Sequence, residues 1–341
     1  MILLYFLLIA LFGYLLVRAT DHLVSELRVL SQMTKLSAFG LTAFLVAFAT
    51  SLPELVVGIA SAIEGRPSLS LGNVLGSNIS NISLVVGGAA VLGGSIRVVG
   101  DFLRRELLLV FLAGSLPLLL LVDNSLSRID ALILLVVYLW YSMTILRGKT
   151  EHLASHQDAL GPFWHRILLK LNQKRTRKHL VWLVFWLFIL MLSGDLLVRT
   201  STNLAELLGI PVILMGIVFL AIGTTLPEFA FEVEAVRNHQ AAMVYGNLLG
   251  SVVANSTVIL GITALIHPIV LDGGFHPYLL ATVAFVVVFG VFWMLASTKH
   301  QLERWEGVLL LLIYVLFVFF EFFKISGFSL SRFFSNIVTL L

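Results

Sequence analysis

The sequence predicts an all-α polytopic membrane protein, with ten transmembrane helices arranged as two five-helix repeats of inverted topology. Three observations carry that expectation: a composition outside the globular range, ten apolar runs of spanning length, and self-similarity at a fixed shift of 174 residues. Of 341 residues, 59% are hydrophobic and 12% charged, with a mean hydropathy of +1.01, whereas soluble domains carry about 25% charged residues. A helical span needs about 20 apolar residues, so the length holds ten spans with short loops and no separate soluble catalytic domain. The chain has no cysteine, which excludes disulfides, thiolate zinc sites, iron–sulfur clusters and a cysteine nucleophile.

The first run, 2–18, lacks a basic leading segment and passes into Arg18-Ala19-Thr20-Asp21 rather than a small-residue cleavage site, so it reads as a retained span. Runs at 37–63, 68–94, 104–122 and 129–146 complete a first half, 1–146. Runs at 180–198, 210–236, 241–266, 278–298 and 305–323 form a second half, 180–323, followed by a tail, 324–341. Between the halves, 147–179 carries Arg147, Lys149, Arg166, Lys170, Lys174, Arg175, Arg177 and Lys178. The positive-inside rule places that loop in the cytoplasm. Alternating ten spans around it puts Arg18, Arg28, Lys35, Arg97, Arg104, Arg105, Arg237, Lys299 and Arg304 on the same side, and Arg66, Arg128, Arg199, Lys324 and Arg332 on the other. Both termini are therefore expected outside the cytoplasmic membrane. Basic loops of this kind are ordinary in membrane proteins, so neither a nucleic acid nor an obligate protein partner is implied; the partner is the lipid bilayer. Trp182, Trp186, Tyr138 and Trp140 fit the interfacial aromatic belt.

Shifted by 174 residues without a gap, Thr50-Ser51-Leu52-Pro53-Glu54 falls on Thr224-Thr225-Leu226-Pro227-Glu228, and Gly72-Asn73-Val74-Leu75-Gly76-Ser77 on Gly246-Asn247-Leu248-Leu249-Gly250-Ser251. Asp21, Ala47, Asn81 and Gly87 likewise fall on Asp195, Ala221, Asn255 and Gly261. Equivalent positions are separated by five spans, an odd number, so the halves must enter the membrane with opposite orientation. Inverted repeats of this kind place a substrate site near the bilayer midplane where the halves meet.

Each copy sets a proline and a glutamate inside an apolar span. Pro53 and Pro227 have no N–H and clash with the carbonyl four residues earlier, which predicts a broken or kinked helix with carbonyls freed near Ala49 and Gly223. Ala47, Thr50, Ala221 and Thr224 lie within that turn. Glu54 and Glu228 follow at once, and a carboxylate at membrane depth costs several kcal/mol unless it is paired or binds a cation. No Lys or Arg stands at these depths to pair with them. The glycines of the partner spans, four residues apart, are expected to serve helix packing. Ser77 with Asn81, and Ser251 with Asn255, fall at i and i+4 and offer neutral oxygens on one helix face. Two carboxylates, hydroxyls, amide oxygens and backbone carbonyls make an all-oxygen set, suited to a hard cation such as calcium or sodium. The formal charge of the two glutamates is balanced by one calcium or two sodium ions, and competition for them is the simplest basis of exchange.

These paired motifs resemble the two alpha repeats, 37–94 and 210–266, of the sodium/calcium exchanger family within the cation/calcium antiporter superfamily. The resemblance implies a core of the second, third, seventh and eighth spans, with the first and sixth as a sliding pair. It implies Glu54 and Glu228 as shared calcium and sodium ligands, with backbone carbonyls from Thr50 and Thr224. Ser51, Ser77, Asn81, Thr225, Ser251 and Asn255 would complete the sodium sites with the carbonyls of Ala47 and Ala221. It further implies a secondary active antiporter moving calcium outward on sodium influx by alternating access, with transported ions and no cofactor. The motif differs from the Gly-Asn-Ala-x-Glu type of calcium/proton exchangers, favouring sodium as the driving ion; proton coupling through the same glutamates is the alternative.

Two departures stand out. Prokaryotic members often carry an aspartate where this chain has Asn255, which leaves one fewer acid. Glu232 and Glu234 stand where the first repeat has Gly58 and Ala60. Glu232, four residues after Glu228, is placed for a cytoplasmic-side cation vestibule or for like-charge repulsion with Glu228; Glu234 is placed to pair with Arg237 or face headgroups. Asp21 and Asp195 suit caps or inter-bundle links, and His267 and His276 an outer loop. With no HExxH motif and no nucleophile–base pair, an intramembrane enzyme is disfavoured, and a passive channel would need no counter-ion.

Overall fold

The computed structural model describes residues 2–33, 50–97, 102–150, 174–208, 212–271, 274–298 and 301–325. The first half comprises α1 (Ile2–Met33), α2 (Leu52–Ile63), α3 (Pro67–Ser80), a π-helical turn (Asn81–Val85), α4 (Val86–Gly93), β1 (Ile96–Arg97), α5 (Phe102–Leu120), β2 (Ser125–Leu126) and α6 (Arg128–Thr150). The second comprises α7 (Lys174–Leu208), α8 (Val212–Leu214), a π-helical stretch (Met215–Leu220), α9 (Ala221–Thr224), α10 (Leu226–Arg237), α11 (Ala241–Ala254), a π-helical turn (Asn255–Ile259), α12 (Leu260–Ile266), β3 (Ile269–Val270), α13 (Leu279–Thr298), β4 (Gln301–Leu302) and α14 (Arg304–Ile325). The bounds of α2, α3 and the first π-helical turn recur in α10, α11 and the third π-helical segment at the same 174-residue shift.

Among the described residues, seven helices are long and apolar enough to cross a membrane: Leu3–Leu23, Pro67–Gly93, Glu106–Asp123, Lys178–Leu208, Met243–Ile266, His276–Ser297 and Arg304–Phe323. Each falls on an expected span. The seventh expected span, 210–236, is the pair Met215–Thr224 and Leu226–Arg237, bent by 43°. Pro227 stands in the first turn of α10, where it can offer no N–H to the Gly223 carbonyl, and the helix axis breaks there as expected. Pro53 has the same place in α2. The expected second span, 37–63, begins outside the described residues, as do most of the loop 147–179 and the tail beyond Ile325.

After the break, α2 and α10 end in matching turns. Gly65 N–H bonds to the Ala62 carbonyl and Arg66 N–H to the Ser61 carbonyl; His239 repeats the first to Val236 and Gln240 the second to Ala235. This bonding reverses the chain through a left-handed residue, Gly65 at φ 69° and His239 at φ 56°.

Beyond the turns the halves exchange their ends. Strand β1 pairs antiparallel with β4, Ile96 opposite Leu302, and β2 with β3, Leu126 opposite Ile269. Helix α14 packs on α4, and α6 on α12. Gly87 and Gly307 permit the first approach, since a Cβ on Gly87 would lie 2.8 Å from the Gly307 carbonyl oxygen. Gly261 permits the second, beside the Ala131 carbonyl.

The main core holds Ile79, Val252, Phe285, Phe289 and Phe292. A smaller cluster joins α1 and α7, through Leu16, Ala19, Leu190 and Leu197, to Val56, Val57, Leu69 and Met215. Gly194 meets Val56 and Leu16, His22 stacks on Trp186, and Glu26 meets His179 at 2.6 Å, so α1 and α7 run antiparallel. Their outer faces expose Leu3, Leu7, Val184 and Phe188, an apolar surface suited to lipid. At one end, Arg199 binds Asp195 at 3.1 Å and reaches Glu64 in the α2–α3 turn at 2.6 Å, while Arg66 binds Glu206 at 2.6 Å. Asp195 is thus part of a link between helices, the role its position suggested.

Candidate cation-binding site

Helix α10 begins at the break before Pro227 and α2 begins at Leu52 with Pro53 in its first turn, so Glu54 and Glu228 occupy the first turns of two helices that start inside the protein. The positive end of a helix dipole favours a carboxylate there. Both side chains are 0% exposed, and none of their four oxygens has a hydrogen-bond partner among the described residues. The two carboxylates are close enough to interact electrostatically, and the Thr224 and Ser77 hydroxyls flank Glu54.

The remaining candidates lie on the elements that close around this pair. Thr50 Oγ1 donates to Asn247 Oδ1 at 2.9 Å, and Thr224 Oγ1 to Asn73 Oδ1 at 3.4 Å. Ser51 Oγ donates to Ser251 Oγ at 3.2 Å, Ser77 lies 3.3 Å from Thr224, and Ser80 lies 3.0 Å from Thr225. Asn81 and Asn255 begin the two matching π-helical turns, a local widening that recurs at functional sites. Asn81 is buried with no hydrogen-bond partner among the described residues. Asn255 Nδ2 donates to Asn78 Oδ1 at 3.2 Å, while its own Oδ1 has no such partner. The Ala221 carbonyl accepts from Thr225 N–H at 3.1 Å and Thr225 Oγ1 at 2.9 Å, so its lone pairs are engaged in this conformation. Ala47 lies outside the described residues.

Glycine packing brings the helices together as expected. A Cβ on Gly76 would collide with the Ile217 carbonyl and Ala221, and one on Gly216 would lie 2.5 Å from the Leu69 carbonyl oxygen. Glu234, by contrast, accepts from Asn238 Nδ2 at 2.7 Å rather than from Arg237, because the turn after α10 brings Asn238 one helical turn from it.

Sequence reasoning did not select Asn73, Asn247, Asn78, Ser80 or Ser256 as site residues. Asn73 and Asn247 had a signal, the repeated Gly-Asn step. Ser80 and Ser256 had none, since Ala254 and Ile82 stand at their equivalents; yet Asn78 Nδ2 donates to Ser256 Oγ at 2.7 Å. Among the described residues, no group of three acidic or histidine side chains converges tightly enough to hold a metal ion. A cation here must draw its ligands from hydroxyls, amides and carbonyls as well as carboxylates, the donor set of a hard ion.

The profile of the sodium/calcium exchanger protein family matches residues 4–147 and 178–323. The inner membrane protein YrbG of Escherichia coli (strain K12) is 31% identical over 261 residues, 74% of this chain and 77% of YrbG. The sodium/calcium exchanger MaX1 of Methanosarcina acetivorans is 28% identical over 332 residues, 89% of this chain and 94% of MaX1. The solved structure of the sodium-calcium exchanger NCX_Mj aligns with a TM-score of 0.62 at 24% identity, covering 93% of this chain and 98% of that one, which shows a shared fold. With the broken 210–236 helix, the buried glutamate pair and these matches together, the chain belongs to the sodium/calcium exchanger protein family, a family of cation antiporters rather than enzymes.

Proposed function

We propose that the chain is a secondary active antiporter that exchanges sodium for calcium by alternating access, normally extruding calcium on sodium influx across the cytoplasmic membrane. Glu54 and Glu228 are the shared ligands. Thr50, Ser51, Ser77, Asn81, Thr224, Thr225, Ser251 and Asn255 surround them, with carbonyls of Ala47 and Ala221. The observation that carries this reading is the pair itself: two carboxylates at equivalent positions, fully buried, interacting with each other, with no ion pair to Lys or Arg among the described residues. Uncompensated buried charge is costly enough that a cation is the natural partner, and two monovalent or one divalent ion balance it equally.

Ten spans in two inverted halves, 1–146 and 180–323, give the site two faces. The antiparallel course of α1 and α7, and the exchange of β1–β4 for β3–β2 when the halves are swapped, support that inversion. With the 147–179 loop cytoplasmic, both termini lie outside. The α1–α7 pair, joined to the rest by a separate small core, is suited to slide and alternate access.

Proton coupling is the second reading. It is favoured by Glu232, a third buried carboxylate beside Glu228, and by 22% identity over 290 residues to the vacuolar cation/proton exchanger 3 of Arabidopsis thaliana. Calcium uptake into proteoliposomes loaded with sodium, against vesicles loaded with potassium or choline at equal pH and clamped voltage, separates the two. Uptake that requires internal sodium is the expected result; uptake driven only by an imposed pH gradient overturns sodium coupling.

A further inference from the structure

Position 58 in α2 and position 232 in α10 are equivalent, yet their surroundings are exchanged. Gly58 leaves space that Ser70 and Thr263 fill: a Cβ there would lie 2.8 Å from Thr263 Oγ1 and 3.1 Å from Ser70 Oγ, and these hydroxyls bond each other at 3.0 Å. At the equivalent place around position 232 the counterparts of Ser70 and Thr263 are Val244 and Ala89, both buried and apolar, and Glu232 takes the place of the glycine. One end of the site is lined by neutral hydroxyls and the other by a carboxylate.

Glu232 is 1% exposed. Its Oε1 lies 3.5 Å from Asn247 Nδ2, at the limit of a hydrogen bond, and its Oε2 has no partner among the described residues. Asn247 is the same residue whose Oδ1 holds Thr50 beside the central pair. Glu232 interacts electrostatically with Glu228 and with Tyr245. Four residues along an α-helix rise about 6 Å, so Glu232 stands one turn beyond Glu228 toward Arg237. An acid that serves only packing has little reason to stand there, since an apolar side chain of similar size fills such a space without desolvating a carboxylate.

We propose that Glu232, with Asn247, forms a second binding step for a hard cation, calcium or sodium, between the central glutamates and the Arg237 side of the core. The step is asymmetric, because the opposite end, around Gly58, presents hydroxyls such as the Ser70–Thr263 pair in place of that carboxylate. It rests on the exchange reading and adds a sidedness that the two equivalent glutamates alone do not supply.

The test measures calcium KM from each face of reconstituted full-length protein. The chain has no native cysteine, so Gln240→Cys, at an exposed position on the Arg237 side, reports orientation through a membrane-impermeant thiol reagent in right-side-out and inside-out vesicles. Glu232→Gln is expected to raise KM about tenfold on the Gln240 face, the scale on which ligand charge tunes calcium affinity. KM on the other face is expected to stay unchanged, and Glu232→Asp, which keeps the charge, restores most of the affinity. Unchanged KM on the Gln240 face, or an equal rise on both faces, overturns the proposal. Should Glu232→Gln fail to fold, Glu232→Asp carries the same two-face comparison with a smaller rise. Wild-type protein without sodium-driven uptake contradicts the exchange reading, whereas normal uptake with an unaltered Glu232→Gln contradicts the second step alone.

Discussion

Thr50 and Asn247, 197 residues apart, share a 2.9 Å hydrogen bond, and the same contact recurs with the halves exchanged between Thr224 and Asn73. Each asparagine therefore ties the start of the glutamate-bearing helix of the opposite half to the helix that carries it, and fixes the backbone beside a glutamate. Asn247→Ala removes this tie and leaves the buried Glu232 carboxylate without its one hydrogen-bond partner among the described residues. An unsatisfied buried polar group costs about 1–3 kcal/mol, so the variant is expected to melt at lower temperature in detergent than wild type and to bind calcium more weakly, by calorimetry. Wild-type melting and affinity would show that the contact is incidental.

Much of this architecture was legible in the sequence, and the limits have physical causes. Seven apolar spans and the bent 210–236 run follow from hydropathy and from Pro227, because both act through nearby residues. The exchanged ends, where α14 packs on α4 and α6 on α12, were not legible: they depend on glycine contacts such as Gly87 with Gly307, 220 residues apart. The π-helical turns at Asn81 and Asn255 were missed too, since nothing in local propensity distinguishes an i→i+5 turn within an apolar helix. The glutamates and the Ser/Asn pairs stood out because both copies keep them. Glu232 stood out for the opposite reason, as a break in the repeat, and only its burial against Asn247 gives that break a location.

Glu54→Gln and Glu228→Gln each remove one of two buried charges. A divalent cation would then be half compensated in a medium that penalises net charge, so calcium flux is expected to fall by about two orders of magnitude or more. Gln keeps nearly the same volume, so size-exclusion profiles should match wild type. Full exchange in both variants would remove the glutamates from the site.

The close approach of α3 to the stretch Met215–Thr224 depends on Gly76 having no side chain. Gly76→Leu forces a side chain into the Ile217 carbonyl and Ala221, and overpacking of this kind costs about 1–3 kcal/mol or more. Lower thermal stability with reduced flux is expected. A melting temperature equal to wild type would mean that the two segments separate freely.

His239 holds the left-handed conformation that Gly65 holds in the equivalent turn. A side chain in that region costs about 1 kcal/mol relative to glycine, so His239→Gly is expected to stabilise the protein slightly, offset in part by a looser unfolded chain. Thermal unfolding followed by tryptophan fluorescence reads the sign; a lower midpoint would show that the imidazole contributes more than the strain.

The central claim is that one carboxylate pair serves both ions. Equilibrium binding of radioactive calcium to purified protein, titrated with sodium against choline at constant ionic strength and pH, tests it without dependence on membrane orientation. The account predicts that sodium displaces calcium, and that calcium binding is lost in Glu54→Gln and in Glu228→Gln. Calcium binding that sodium leaves untouched, or that survives in both variants, would contradict it.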